Sequence, residues 1–549
     1  MMYIREKKIL LFFSLFCLLG ISVLSFGKAD RYPMHYAYLD DAGQNRLLKK
    51  SKVDEEMAVS LSFNGEALPY DGGKKTFYLP LSMEDGWESG TFSVQAKNRD
   101  SEQDTEAQLY FLEDFGKEDK RELIRANHDI PFLAVSEGCY GSFFLKLTGV
   151  PAVDFKGTEQ TTAEGLPVFS FALFEQAKHT DWVERCFTGS ALHGNTSLAY
   201  PKKSLRLKLL EQTEEGLVKH NADLLGIRDD DDWILNSLYA DESRVRDKLC
   251  LDLWQALGAH SNPFGKNFGA GGEFVEVFIN DSYQGLYLLT HPIDRKQVGT
   301  QAVSSQIAAG ETQIERIYKK KYTAAWQEED FVGEAPDPNS LDYRGGFYLK
   351  GDTVLGNETE WEPLRKLAAC IEGDDDAFGA GITTLCDRQN IIENWLFYQA
   401  IAGFDNQAKN MYYVVRKQQG GLKGYFIPWD LNISFGVVYA DNDYYCEEDP
   451  TTVRMEVEWE PGSRLMKLDT TESRALAKET WVKWRNGALS EENLQNRIEG
   501  LERFVKDSGA FVREKERFPE GNCNEDFSLL YDYAKKRLQF VDELVGEHK

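Results

Sequence analysis

The sequence predicts a mixed α+β chain: a small β-rich, sandwich-like module, then a two-lobed domain that is mainly sheet at first and mainly helical later. Three observations carry this. Short alternating strands broken by turn residues fill roughly the first hundred residues after an apolar leader; strands then share the chain with one helical repeat up to about residue 300; beyond about residue 340 the apolar spacing turns helical. With 549 residues, 42% of them hydrophobic, the chain has apolar surface for more than one core.

The first segment, residues 1–27, has a basic start (Arg5, Lys7, Lys8) and an uncharged apolar run from Ile9 to Phe26. It reads as an export signal, either cleaved near Ser25 or kept as a membrane anchor, and in both cases the remaining chain is sent outward. An extracytoplasmic protein that touches a membrane only through this segment is therefore expected. The module follows over 28–129, with strands at Ala58–Phe63, Thr76–Pro80 and Gly90–Val94, a turn at Asn64–Gly65, and a charged stretch from Glu113 to Arg125 that closes it.

The two-lobed domain is expected over 130–549. Its upper lobe, about 130–300, carries strands at Ser142–Leu147, Val168–Ala172 and Ser204–Leu209. A helix follows with Val245, Leu249, Leu253 and Leu257 on one face, Asp241 or Ser243 as its cap and Gly258 at its end. A hairpin joins Phe274–Ile279 to Leu286–Thr290. The lower lobe, about 340–549, is read as helical at Ile391–Gly403, Ser490–Lys506 and Phe527–Val545, with one local hairpin, Tyr412–Arg416 and Tyr425–Trp429.

The formal charge of −27 repels nucleic acid and anionic lipid, so no nucleic-acid partner is expected, and a nucleotide site needs its own local cations. Seven cysteines beyond the leader are widely spaced, without a Cys-x-x-Cys pair, which argues against structural zinc; Cys250 and Cys370 read as small buried residues. The acidic runs at Asp229–Asp232, Asp374–Asp376 and Asp441–Asp443 lack the spacing and glycine of an EF-hand and read as solvated loops.

The local hairpin separates two polar clusters. Asp405 and Asn410 stand five residues apart after a helix, and Asp430 follows the second strand. Phosphoryl transfer needs a carboxylate that orients and deprotonates the acceptor hydroxyl, and oxygen ligands that hold magnesium against the nucleotide phosphates. Catalytic Asp, Asn five residues on, hairpin, metal-binding Asp is the protein-kinase order. Turn chemistry alone explains any one of the three, since Asp and Asn both favour turns; the ordered set is what points to a site.

Six blocks in one order also resemble the CotH-type (spore coat protein H) secreted kinases: His193–Ser197 with Pro201–Lys208, Trp233 to Arg246, Asn280–Tyr287, Gly346–Lys350, Asp405–Asn410 and Pro428–Gly436. The resemblance implies an atypical protein-kinase-like fold using ATP and Mg2+. On it Asp405 is the catalytic carboxylate, Asn410 and Asp430 hold metal, and the basic block contacts phosphate: Lys203 first, on the argument that one strand face reaches the cleft, then Lys202 and Lys208, with Arg246 as a further cofactor contact.

The expected function is an exported protein kinase acting on Ser, Thr or Tyr hydroxyls of a surface or coat protein. Three departures from the family pattern, His193 for Arg, His291 for Glu and Asn432 for Asp, keep open a second reading, a catalytically degenerate kinase-fold protein of surface assembly. A hydrolase with paired carboxylates is weaker, because nothing sets a second carboxylate at a useful separation. The acidic stretch from Asp441 to Asp449 lies where kinases keep a segment that gates substrate.

Overall fold

Alternation of large apolar residues closes seven strands between Ala152 and Thr290 into a barrel. The computed structural model describes residues 34–547 apart from 85, 98–103, 178–181, 259–261, 265–267, 334–342, 352–356, 441–442, 447–448 and 450–456. The expected leader over 1–27 lies outside the described residues, as do 441–442 and 447–448 of the acidic stretch from Asp441 to Asp449. The barrel strands are Ala152–Thr161, Pro167–Phe174, Val183–His193, Ser204–Thr213, Asp232–Asn236, Gly272–Ile279 and Tyr283–Thr290. Val183–His193 pairs on one side with Pro167–Phe174 and on the other with Ser204–Thr213, which completes the ring. Val153, Phe155, Leu207, Leu209, Trp233, Leu235, Val275, Val277, Tyr287 and Leu289 fill the interior, two residues apart on each strand. Residues of the other parity, Arg206 and Lys208 among them, face out.

Before the barrel, ten strands from Met34 to Thr148 form one connected sheet, where a small sandwich was expected. Its two edge strands, Glu66–Ala67 and Tyr70–Asp71, are separated by only Leu68 and Pro69. That one segment lies along both edges: Leu68 N donates to Leu61 O at 2.9 Å, and Tyr78 N donates to Pro69 O at 2.9 Å. Edge groups open to another chain are thereby covered. Asp129–Ser136 and Cys139–Thr148 pair within the sheet, against Asp104–Phe111 and Thr76–Pro80, so it runs past residue 129. The charged stretch expected to close the module holds a short helix, Lys120–Arg125, inserted between strands. Sheet and barrel share a core, with Phe77, Tyr78 and Phe132 in one cluster with Phe174, Trp182 and Phe278.

Helix Arg246–Gly258 starts where Asp241 accepts a hydrogen bond from Arg246 N at 2.7 Å, the first of the two expected caps. Its Leu249, Leu253, Trp254 and Leu257 join the core of the helical part. At the centre of that part lies Arg388–Ile401, buried from Asn390 onward, and capped by Asp387, whose side chain accepts from Asn390 N. The helix Glu491–Asp507 carries its expected Ser490 cap.

The local hairpin expected in this part belongs to a five-stranded sheet. Its strands run in the order Tyr343–Arg344, Phe347–Lys350, Arg316–Lys320, Met411–Gln418, Gly421–Pro428. Arg316–Lys320 sits centrally although it ends in consecutive lysines, a pattern without the usual alternation. Among the described residues no helix is long and apolar enough to cross a membrane.

Candidate active site

The site begins where the central helix stops. Ala402 takes a left-handed conformation (φ +51°), and the chain turns through Phe404–Gln407 to present Asp405. Asn410 ends the turn and Asp430 follows the partner strand; Met411 pairs with Pro428, so the hairpin register sets the two side by side. Both are left-handed, at φ +55° and +57°, a conformation Asn and Asp tolerate better than most residues. Trp429 N donates to Asn410 O at 3.0 Å, and Asn410 N donates to Lys320 O at 2.9 Å. Asn410 Nδ2 donates to Asp405 Oδ2 at 2.9 Å, and Lys409 Nζ lies 3.0 Å from the same oxygen.

All three expected residues, Asp405, Asn410 and Asp430, line one cleft of about 660 Å³ between the outer face of the barrel and the five-stranded sheet. Arg206, Lys319, Lys321 and Lys350 line it too. The Lys319 ammonium lies 4.8 Å from the Trp429 ring centre and 5.5 Å from that of Tyr412. Burial pulls it down to about 7, against the opposing charge of Asp430. Burial, and then the charge of Asp405, raise Asp430 above the usual carboxylate range. His193, also in the cleft, is lowered to about 4 by burial and by Lys319, so it is neutral at pH 7.

The expected phosphate contacts lie elsewhere. Lys202 is fully buried, donating to both Glu514 oxygens at 2.8 Å and to Leu286 O. Lys203 donates to the carbonyls of Leu198 and Tyr200. Lys208 pairs with Asp232 at 2.8 Å in a neighbouring cavity of about 420 Å³. Arg246 turns its guanidinium to Asp241, at 2.5 Å. The strand expected to select among these lysines starts at Ser204, so Lys202 and Lys203 precede it, and the outward basic residue that lines the cleft is Arg206. Reading Leu205, Leu207 and Leu209 as the core face would have identified it.

Of the departures from the family pattern, Asn432 lines the cleft and His291 does not. His291 Nε2 accepts from Gly271 N at 3.1 Å and Nδ1 lies 3.1 Å from Pro292 O, with burial lowering the ring to about 4. Its role is therefore one of packing. Sequence reasoning missed Lys319, Lys321 and Lys350, and two buried polar residues beside the expected set. Asn406 Nδ2 donates to Asn410 O at 2.9 Å and Trp429 O at 3.0 Å. Asp247 lines the cleft from the first turn of Arg246–Gly258.

A magnesium ion fits this donor set when it arrives with a nucleotide. Asp430 and Asn410 offer hard oxygens, and Asn410 spends its amide donor on Asp405. Among the described residues no three His, Cys, Asp or Glu side chains are placed to hold a metal by themselves. Magnesium ordinarily takes one or two carboxylates and completes its shell with phosphate oxygens and water. Carboxylate, amide and lysine at one end of a cleft match what phosphoryl transfer asks of a protein.

No curated protein matches the chain. The family model described as CotH kinase protein matches residues 191–541, a span that contains the whole cleft and implies a kinase that uses ATP. The chain belongs to the CotH kinase protein family.

Proposed function

We propose that this protein is an exported, magnesium-dependent protein kinase that transfers the γ-phosphoryl group of ATP to Ser, Thr or Tyr hydroxyls of a surface or coat protein. The observation that supports it most is the meeting of Asp405, Asn410 and Asp430 at one end of a cleft that also holds the Lys319 ammonium. Asp405 accepts the proton of the acceptor hydroxyl. The acceptor oxygen bonds to the γ-phosphorus as the bond to the β–γ bridging oxygen breaks, and ADP leaves with that electron pair. Asp430 and the Asn410 amide oxygen would hold magnesium, which neutralises charge on the phosphates. Lys319, with Lys321 and Lys350, takes the phosphate-binding role that Lys203 was expected to play.

Labelled ATP and the purified chain test this. Transfer to protein that stops on Asp405→Ala is the expected result; transfer that survives it unchanged overturns the proposal. Asn432 in the cleft favours a second reading, a binding and assembly protein with a weakened metal site. On that reading ATP binding does not depend on magnesium.

A further inference from the structure

Asp430 is held from both sides. The carbonyl before it, Trp429 O, accepts from Asn406 Nδ2 at 3.0 Å. The N–H after it, that of Leu431, donates to Asp247 Oδ1 at 3.1 Å. Asn406 and Asp247 come from different parts of the domain: Asn406 from the turn that carries Asp405, Asp247 from the helix Arg246–Gly258 inserted between barrel strands. Each is itself fixed. Asn406 also donates to Asn410 O at 2.9 Å, and the second Asp247 oxygen accepts from Asn236 Nδ2, at the end of a barrel strand, at 2.7 Å. Both side chains are buried.

From these contacts we propose that Asp247 and Asn406 are positioning residues, a two-sided clamp on the peptide groups flanking Asp430. The clamp sets the direction of the Asp430 carboxylate and ties it to the barrel. This rests on the kinase reading above and assigns to that reaction two residues that act on it through Asp430. Asp430 sits in a left-handed conformation, so its side chain direction depends on the two peptide planes beside it. Asp247 uses both of its oxygens, one accepting from Leu431 N and the other from Asn236 Nδ2. An amide there offers one oxygen in place of two and cannot accept from Leu431 N and Asn236 Nδ2 at separate atoms. Through Asp247, a movement of the barrel relative to the helical part becomes a movement of the metal ligand.

The test measures metal affinity apart from turnover. Mn2+ is titrated into the full chain saturated with ADP, followed by the loss of the free-ion magnetic resonance signal, for wild type, Asp247→Asn, Asn406→Ala and Asn236→Ala. ADP binding without metal is measured alongside. Groups that orient metal ligands typically change affinity by about ten- to a hundredfold. A loss of about tenfold or more in Mn2+ affinity for Asp247→Asn and Asn406→Ala, with metal-free ADP affinity within about twofold of wild type, is the expected result. Asn236→Ala, which leaves the Leu431 contact in place, gives a smaller loss, and it stands in for Asp247→Asn should that variant not fold. Variants that bind Mn2+ as wild type does overturn the clamp and leave the kinase reading standing. A wild-type chain that binds no Mn2+ in the presence of ADP overturns both.

Discussion

Two places on the outer face of the barrel bury charge, and they bury it differently. Along one, the helix Ala510–Arg517 docks against the barrel. Arg513 donates to Glu276 at 2.6 and 2.9 Å and to Thr148 Oγ1 at 2.7 Å; Glu514 accepts from Lys202, from Arg244 Nε at 3.0 Å and from Leu286 N at 2.9 Å. Gly285 is required there: at φ +100° it leaves room for Glu514, whose Oε2 would lie 2.2 Å from any Cβ. At the other place, the cleft, Asp405, Asp430 and Asp247 stand near one another, and burial with like charge raises the last two above the usual carboxylate range. Matched charge fastens one helix to the barrel. Mismatched charge stands in the cleft, where on the kinase reading a ligand carrying phosphate and a cation would complete it.

The difference can be sharpened by mutation. The largest effect belongs to Asp405→Asn, which removes the base and is expected to lower phosphotransfer by about a hundred- to ten-thousandfold, while thermal unfolding stays near that of wild type. Arg513→Met shows the opposite signature. Breaking a buried pair by removing one partner costs about 3–5 kcal/mol, so the melting temperature drops steeply, and whatever folds keeps its nucleotide affinity. Lys319→Met is expected to weaken nucleotide binding by about tenfold without loss of stability, since burial already disfavours the ammonium; Lys203→Met leaves binding unchanged in the same titration.

Acidity gives a smaller test with a definite sign. Burial first, and then the charge of Asp430, push the Asp247 carboxyl up from 3.8 to about 7. Between those values the folded chain keeps a proton that the unfolded chain has released, so this group makes the protein lose stability as pH rises through that window. Asp247→Asn removes the slope. Urea unfolding at pH 5 and pH 7.5 should show the variant gaining on wild type at the higher pH. The smallest expected change is in metal affinity: Asn432→Asp, in the cleft, tightens Mg2+ in the presence of nucleotide by a few-fold, whereas His291→Glu, outside it, does not.

The sequence made the two places unequally legible. Asp405, Asn410 and Asp430 were readable because helix end, hairpin and turn are local features, and the turn residues are the same ones the chemistry uses. The barrel was not, because closure depends on Val183–His193 meeting Ser204–Thr213 in a ring that no single strand announces. Lys319 was hidden in a strand whose neighbours come from residues 347–350 and 411–418. Lys202 misled for the converse reason. A basic residue beside a strand resembles a phosphate contact until Glu514, more than 300 positions away in sequence, is seen to hold it.

On the kinase reading, the buried carboxylates and lysines of the cleft bind a metal–nucleotide complex. Calorimetric titration of ATP with Mg2+ into the full chain and into Asp430→Asn tests it most directly. Binding in the micromolar range by wild type, lost when magnesium is withheld or Asp430 is changed, is the predicted result. Absence of binding by wild type, or binding that neither change affects, would contradict it.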